Sequence, residues 1–144
     1  MADIRDCRDE DFDQILSLLQ QLWPEKTLNH DRLRVVYERG LRSDTQQYIC
    51  AVESGRIAGF CSMTLKNNLW QEGYLAHVDE LVVNHADRGR GIGSQLLEAI
   101  IAYAVERSCT RVELDTAFHR TEAHAFYERQ GFENRAYLFS KLLK

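Results

Sequence analysis

The sequence predicts a mixed α/β fold in one domain, and three observations carry that prediction. Two runs rich in strand formers, "QYICAV" and "RIAGFCSMTL", flank Ser54-Gly55 and read as a β-hairpin. A further strand, "YLAHVDELVV" from Tyr74 to Val83, leads into "DRGRGIGSQLLEAIIAYA", where Ile92, Leu96, Ile100 and Tyr103 recur at helical spacing. After that helix "TRVELDTAF" reads as a strand again, so the middle of the chain is a strand-helix-strand unit whose glycine loop joins a central strand to a helix N-terminus.

The remaining elements follow in order. Ala2 to Cys7 is a short strand, and the helix after it has Asp9 as its N-cap and Phe12, Ile15, Leu16, Leu19 and Leu22 along one face until Pro24 stops it. A second helix from about Asn29 carries Leu33, Val36 and Tyr37 inward, with Gly40 as its C-terminal breaker. Towards the end, "TEAHAFYERQ" is a short helix closed by Gly131, and "NRAYLFSKLL" is a final strand. Repeats and low-complexity tracts are absent from the sequence.

Composition bounds the function. The 144 residues, with one proline, suit a single domain spanning 1–144, and 44% hydrophobic and 28% charged residues are near globular averages. A net charge of −4 argues against a broad nucleic-acid surface and favours cationic partners. Cys7, Cys50, Cys61 and Cys109 show no C-x-x-C pair and no metal-finger spacing, so they are expected to be buried thiols in a reducing compartment, with no metal bound. Neither an apolar signal core in "MADIRDCRDEDF" nor an apolar run long enough for a bilayer is visible, which places the protein in the cytoplasm by expectation, away from membranes.

Three glycines and two arginines before an apolar helix call for an explanation, because glycine loses much backbone entropy on folding. A helix start offers N–H groups and a positive dipole end, and bare glycines let an anion approach them. Gly89, Gly91 and Gly93 provide that access, Arg88 and Arg90 add charge, and Ser94 adds a hydroxyl beside Ile92. From these residues alone, the segment is either a pyrophosphate cradle or a glycine-rich turn with solvated arginines. A P-loop requires a Lys-Ser or Lys-Thr pair that the region lacks. "GRGIG" spaces its glycines wrongly for a dinucleotide site, although Glu113 lies at a tolerable distance. The pattern [Q/R]-x-x-G-x-[G/A] is met by Arg88, Gly91 and Gly93.

With these residues the sequence resembles the GNAT superfamily of acetyl-CoA-dependent N-acetyltransferases. "ELVVNHADRGRGIGSQLLEA" is similar to its coenzyme-binding segment, and "EAHAFYERQGF" to its second signature, a helix carrying Phe126-Tyr127 and ending in Gly-Phe. The resemblance covers nearly the whole chain. It implies a central twisted, mostly antiparallel sheet of about six or seven strands flanked by about four helices. It further implies direct transfer from acetyl-CoA to a primary amine in a ternary complex, a small-molecule amine acceptor, and a homodimer as a common assembly. A peptide or protein acceptor and a non-catalytic acetyl-CoA sensor are the alternatives.

The same resemblance assigns roles. Backbone groups of Leu81, Val82 and Val83 hold the pantetheine arm, although their side chains also read as core. Tyr127 is the general acid for the departing thiolate, a phenol of pKa about 10 facing a thiol of about 8.5; read without the family it is a core tyrosine behind Phe126. A base must take the proton of the arriving ammonium, and the candidates are His77, Asp79 and Glu80, or water. Strand alternation puts His77 and Asp79 on one face and Glu80 on the other unless a local bulge changes it, with His77 titrating nearest neutrality and Asp79 either orienting it or binding the cation. The plainer reading makes all three solvated strand-end residues. Arg120 stands where many relatives carry an asparagine, so it either contacts coenzyme phosphates or starts its helix. His119 and His124 form no metal pair. Trp23, Glu25, Trp70, Glu72 and Tyr74 are the acceptor-binding candidates, as aromatic faces and carboxylates bind cationic amines; Trp23 also reads as the end of a core stripe. Those side chains suit a polyamine, an amino sugar or an amino-acid derivative.

Overall fold

The computed structural model describes residues 2–144, which gather into two compact units, one ending at Glu113 and the other spanning Leu114–Lys144. The first contains β1 (Asp3–Asp6), α1 (Phe12–Leu22), α2 (His30–Leu41), β2 (Gln46–Glu53), β3 (Arg56–Asn68), β4 (Gly73–Val83) and α3 (Ile92–Glu106), and β5 (Val112–Leu114) falls at the division between the two. These strands form one sheet in the order β1-β2-β3-β4-β5, with antiparallel pairing from β1 through β4. The mixed α/β, mostly antiparallel architecture matches the expectation; the strand count does not.

The sheet has five strands among the described residues, below the expected six or seven. The run "NRAYLFSKLL" forms no strand, and Tyr137, Leu138 and Phe139 are exposed. Period-two apolarity cannot hold a strand without a neighbouring ladder, and none of the backbone groups after Phe132 is bonded to other backbone among the described residues. In the C-terminal unit, α4 (Thr121–Arg129) is closed as expected by Gly131, whose φ of +91° lets Phe132 N–H reach back to the Tyr127 carbonyl at 3.0 Å.

β3 explains the layering of the first unit. Residues 57–63 are all buried, which requires cover on both faces. Phe60 faces a core shared by Phe12, Ile15 and Leu19 of α1 and Tyr37 of α2. Gly59 faces α3, where an added Cβ would lie 2.9 Å from Leu96 Cδ1 and 3.2 Å from the Val82 carbonyl oxygen. The β2–β3 turn is set by Ser54 and Gly55, both at positive φ, as a tight primed turn demands.

Two expected helix boundaries move. A 3-10 turn over Asp9–Asp11 precedes α1, and Asp11 rather than Asp9 closes the start. Its buried carboxylate accepts the Arg8 N–H at 2.7 Å and pairs with both terminal nitrogens of Arg5, whereas Asp9 turns outward to Arg42. α2 starts where expected, with Asn29 capping it by accepting the Arg32 N–H, but Gly40 lies within the helix, and a Cβ there would strike the Tyr48 ring. Val36 is about half exposed rather than inward. No helix among the described residues is long and apolar enough to cross a membrane.

Because Gly59 is hemmed by a helix side chain and by backbone, Gly59→Ala is expected to cost about 1–3 kcal/mol through overpacking. Chemical denaturation of the two proteins measures the difference.

Candidate active site

The site begins with an irregularity in β4. Ser62 of β3 pairs with Glu80, yet the next residue, Met63, pairs with Val78, so Asp79 is an extra residue on β4 and a β-bulge. Regular alternation sends Asp79 and Glu80 to opposite faces. The bulge instead brings both to one cleft of about 270 Å³, walled by aromatic and aliphatic side chains of α1, α2, β2 and β3. His77 and Asp79 stay together as expected, but Glu80 joins Asp79 in the cleft and does not face away from it, the departure from regular alternation that a bulge produces.

Each carboxylate has a fixed environment. The buried Ser62 hydroxyl donates to Glu80 Oε1, while the Glu80 N–H donates to Ser62 Oγ at 3.0 Å. Burial raises the Glu80 pKa above the ordinary carboxylate range, with Asp79 raising it further and the Ser62 hydrogen bond and His77 opposing. Asp79 accepts from Thr64 Oγ1 at 2.5 Å and lies 2.8 Å from His77 Nδ1. His77 thus meets Asp79 but is not among the residues lining the cleft.

At the other end of β4 the chain passes a 3-10 turn, His85–Asp87, into the glycine loop. Gly89 (φ +78°) and Gly91 (φ +82°) take the left-handed conformation, and a Cβ at either would meet nothing within 4 Å. Their solvent side is therefore open to a ligand. No acidic side chain occupies the first turn of α3, whose own ladder starts with Gln95 N–H to the Gly91 carbonyl. An open concavity at a positive helix end suits the diphosphate of a coenzyme. Ile92 is buried under the helix start and Ser94 lies in its first turn; Arg88 stands on the loop, with its Nε donating to the Val83 carbonyl. Arg90 turns instead to Asp87 and Glu53.

Asp87 carries no role in the sequence reading, yet it organises this loop. Its buried carboxylate takes two bonds from Arg56, at 2.8 and 2.9 Å, and one from Arg90 at 3.1 Å, and Arg56 holds its pKa below the usual range. A carboxylate directly ahead of the two arginines of "DRGR" is the signal available in the sequence. Ser62 and Thr64 were also missed, since only the strand register reveals what they face.

Of the acceptor-binding candidates, Trp23 lines the cleft. Glu25 is exposed beyond α1 and does not line it. Trp70, Glu72 and Tyr74 lie in and beside the β3–β4 turn, where Arg111 sits over the Trp70 ring. Extension of both strands past their expected ends carries that turn away from Asp79: six residues of strand span about 20 Å. Leu81, Val82 and Val83 pair with Cys61, Phe60 and Gly59 on their β3 side, and Val82 is core. On the other side, the bond from Ala76 N–H to the Arg111 carbonyl lies at the start of β4, well before Leu81.

In the C-terminal unit, Tyr127 is half-buried between Phe126 and Phe132, with ring centroids 5.3 and 5.8 Å away. Arg120 is exposed at the N-cap of α4, and His124 Nε2 lies 2.9 Å from the Ala117 carbonyl oxygen. Among the described residues, no three His, Cys, Asp or Glu side chains are grouped as metal ligands.

Comparison with known proteins adds relationship to geometry. The acetyltransferase (GNAT) family matches residues 12–132. The chain is 29% identical over 143 residues to an aminoalkylphosphonate N-acetyltransferase of Salmonella typhimurium, covering 99% of this chain and 92% of that one. It is 27% identical over 121 residues to glucosamine 6-phosphate N-acetyltransferase 1 of Oryza sativa, covering 81% and 72% of the two chains. A putative acetyltransferase structure from Agrobacterium tumefaciens superposes with a TM-score of 0.88 at 27% identity, over 97% of this chain and 99% of that one.

The Glu80 environment predicts a pH-dependent stability. Since the folded pKa lies above the ordinary 4.5, the native state retains the proton longer than the unfolded chain. The contribution of Glu80 to stability is thus greatest below that value, falls as pH rises towards the folded pKa, and is constant above it. In Glu80→Gln this fall is expected to vanish, as paired denaturation curves between pH 4 and 8 will measure.

Proposed function

The chain belongs to the GNAT family of acetyltransferases, and on that premise we propose that it acetylates the primary amine of a small molecule held in the cleft beside Asp79 and Glu80. The observation carrying this reading is the bulge, which turns one carboxyl of raised pKa and one anchored carboxylate into the same aromatic-walled cavity.

Acetyl-CoA, the family's co-substrate, supplies an activated acyl group and a thiolate leaving group. The Gly89–Gly91 concavity and the start of α3 hold its diphosphate, with Arg88 and Ser94 beside them, and the edge of Leu81–Val83 away from β3 aligns its arm. Glu80 takes the proton of the acceptor ammonium. A carboxyl destabilised in its charged form by burial is a stronger base than an ordinary one. Asp79, held in place by Thr64 and His77, faces the ammonium and orients it. His77, favoured as base from sequence, becomes a positioning residue for Asp79. Tyr127 on α4 is the general acid.

Direct transfer fits the cysteines. Cys7, Cys50 and Cys61 are buried, and burial raises the Cys61 thiol pKa, which disfavours an acyl-enzyme. Comparison with the relatives supports a small-molecule acceptor, since two are named for small amines.

Thiol release from acetyl-CoA with a panel of amines, followed by mass spectrometry of the products, tests the proposal. Release that no amine raises above background, despite coenzyme binding, would leave a sensor and overturn it. Removing the base is expected to lower kcat/KM about 10²–10⁴-fold in Glu80→Gln and to remove the acidic limb of the pH profile. That limb should move down in pH in Asp79→Asn, which lifts a like charge, and up in Ser62→Ala, which deletes a bond favouring the charged form. Tyr127→Phe is expected to lower kcat sharply while leaving the melting temperature nearly unchanged; retention of normal turnover would remove Tyr127 from the mechanism.

A further inference from the structure

Resting on the transferase reading, the structure assigns the acceptor a finer chemistry: we propose that it is a primary amine on a small apolar or aromatic body that bears no phosphate, phosphonate or carboxylate.

The cleft's walls argue for the apolar body. Phe12, Tyr37, Tyr48 and Phe60 form a continuous ladder with successive ring centroids 5.3, 5.6 and 5.7 Å apart, and Trp23 and Leu19 complete the wall. A volume of about 270 Å³ falls just below the ~300 Å³ at which ligand clefts ordinarily begin, so the body is small.

The polar groups argue against an anion. Asp79 and Glu80 are the charged residues lining the cleft, and no Lys, Arg or His lines it. Arg34 lies over the Phe12 ring but is paired with Glu38. The hydroxyls that could serve an anion instead are already engaged. Tyr37 donates to the Arg8 carbonyl at 2.7 Å, Tyr48 to Gln46 Oε1 at 3.2 Å, Thr64 to Asp79 and Ser62 to Glu80. Burial keeps both phenols protonated, raising Tyr48 to about 12. An acid group entering here would lose its hydration, find no cation and face two carboxylates, whereas an ammonium gains from the same carboxylates and from the ring faces. The inference therefore separates this chain from the phosphorus-bearing amines for which two of its relatives are named.

Matched amine pairs test it on the full chain with acetyl-CoA: 2-phenylethylamine against phenylalanine, and glucosamine against glucosamine 6-phosphate. In each pair the acid-free member is expected to have a kcat/KM at least about tenfold higher, and 2-phenylethylamine should exceed glucosamine. Val36→Arg places a cation on the cleft wall and should narrow both within-pair ratios at least about fivefold. Parity within either pair, or preference for the acid-bearing member, overturns the inference while leaving the transferase reading intact. An independent readout is Trp23 fluorescence in a Trp70→Phe protein, in which Trp23 is the sole tryptophan. Should no amine be acetylated, 2-phenylethylamine quenching that signal while phenylalanine does not would uphold the assigned chemistry and sink the transferase reading. Equal binding of the two, or no binding of 2-phenylethylamine at millimolar concentration, overturns the assignment.

Discussion

One extra residue in β4 governs the chemistry of the first unit. Without the bulge at Asp79, Glu80 and Asp79 would project from opposite faces, one under α3 and one under α1 and α2, and no cleft would contain two acids. β3 has little latitude to supply such an irregularity, because its residues 57–63 are packed on both faces. The deviation falls on the neighbouring strand, and Ser62, buried and facing it, supplies the hydroxyl that a displaced Glu80 needs. Fold and chemistry thus meet in one backbone hydrogen-bond register.

Much of the fold was legible from local patterns. Ser54-Gly55 between strand formers marked its hairpin, Asn29 marked the start of α2, and the spacing of Ile92, Leu96 and Ile100 marked the buried face of α3. These signals are read within a few residues, and the physics behind them is equally local. What escaped was long-range. Nothing near Asp79 announces a bulge, because it arises from how two strands align over their whole length. Gly40 reads as a stop signal but instead makes room for Tyr48, a residue eight positions away and on another element.

The candidate site divides along the same line. The glycine loop announced itself because its function is performed by backbone, so glycines and flanking charge suffice to mark it. The acceptor side depends on which side chains converge, and there Trp23 was found while Trp70, Glu72 and Tyr74 were carried off by a hairpin longer than its apolar pattern suggested. The tyrosines and phenylalanines that wall the cleft are drawn from α1, α2, β2 and β3, so no contiguous motif could have named them. "NRAYLFSKLL" shows the converse failure, in which strand-forming residues lack a ladder to join.

The clasp of Arg56, Asp87 and Arg90 has a kinetic meaning. By tying the entrance of the glycine loop to the first residue of β3, and through Glu53 to the last of β2, it fixes the loop's shape using contacts that no ligand has to supply. A charged visitor consequently meets a preformed receptacle and surrenders little ordering entropy on arrival, which leaves the rate of capture to diffusion and long-range attraction. Because both arginines are half in solvent, ionic strength acts on that receptacle as well as on the visitor, and association should slow with added salt more steeply than the ligand's own charge would dictate.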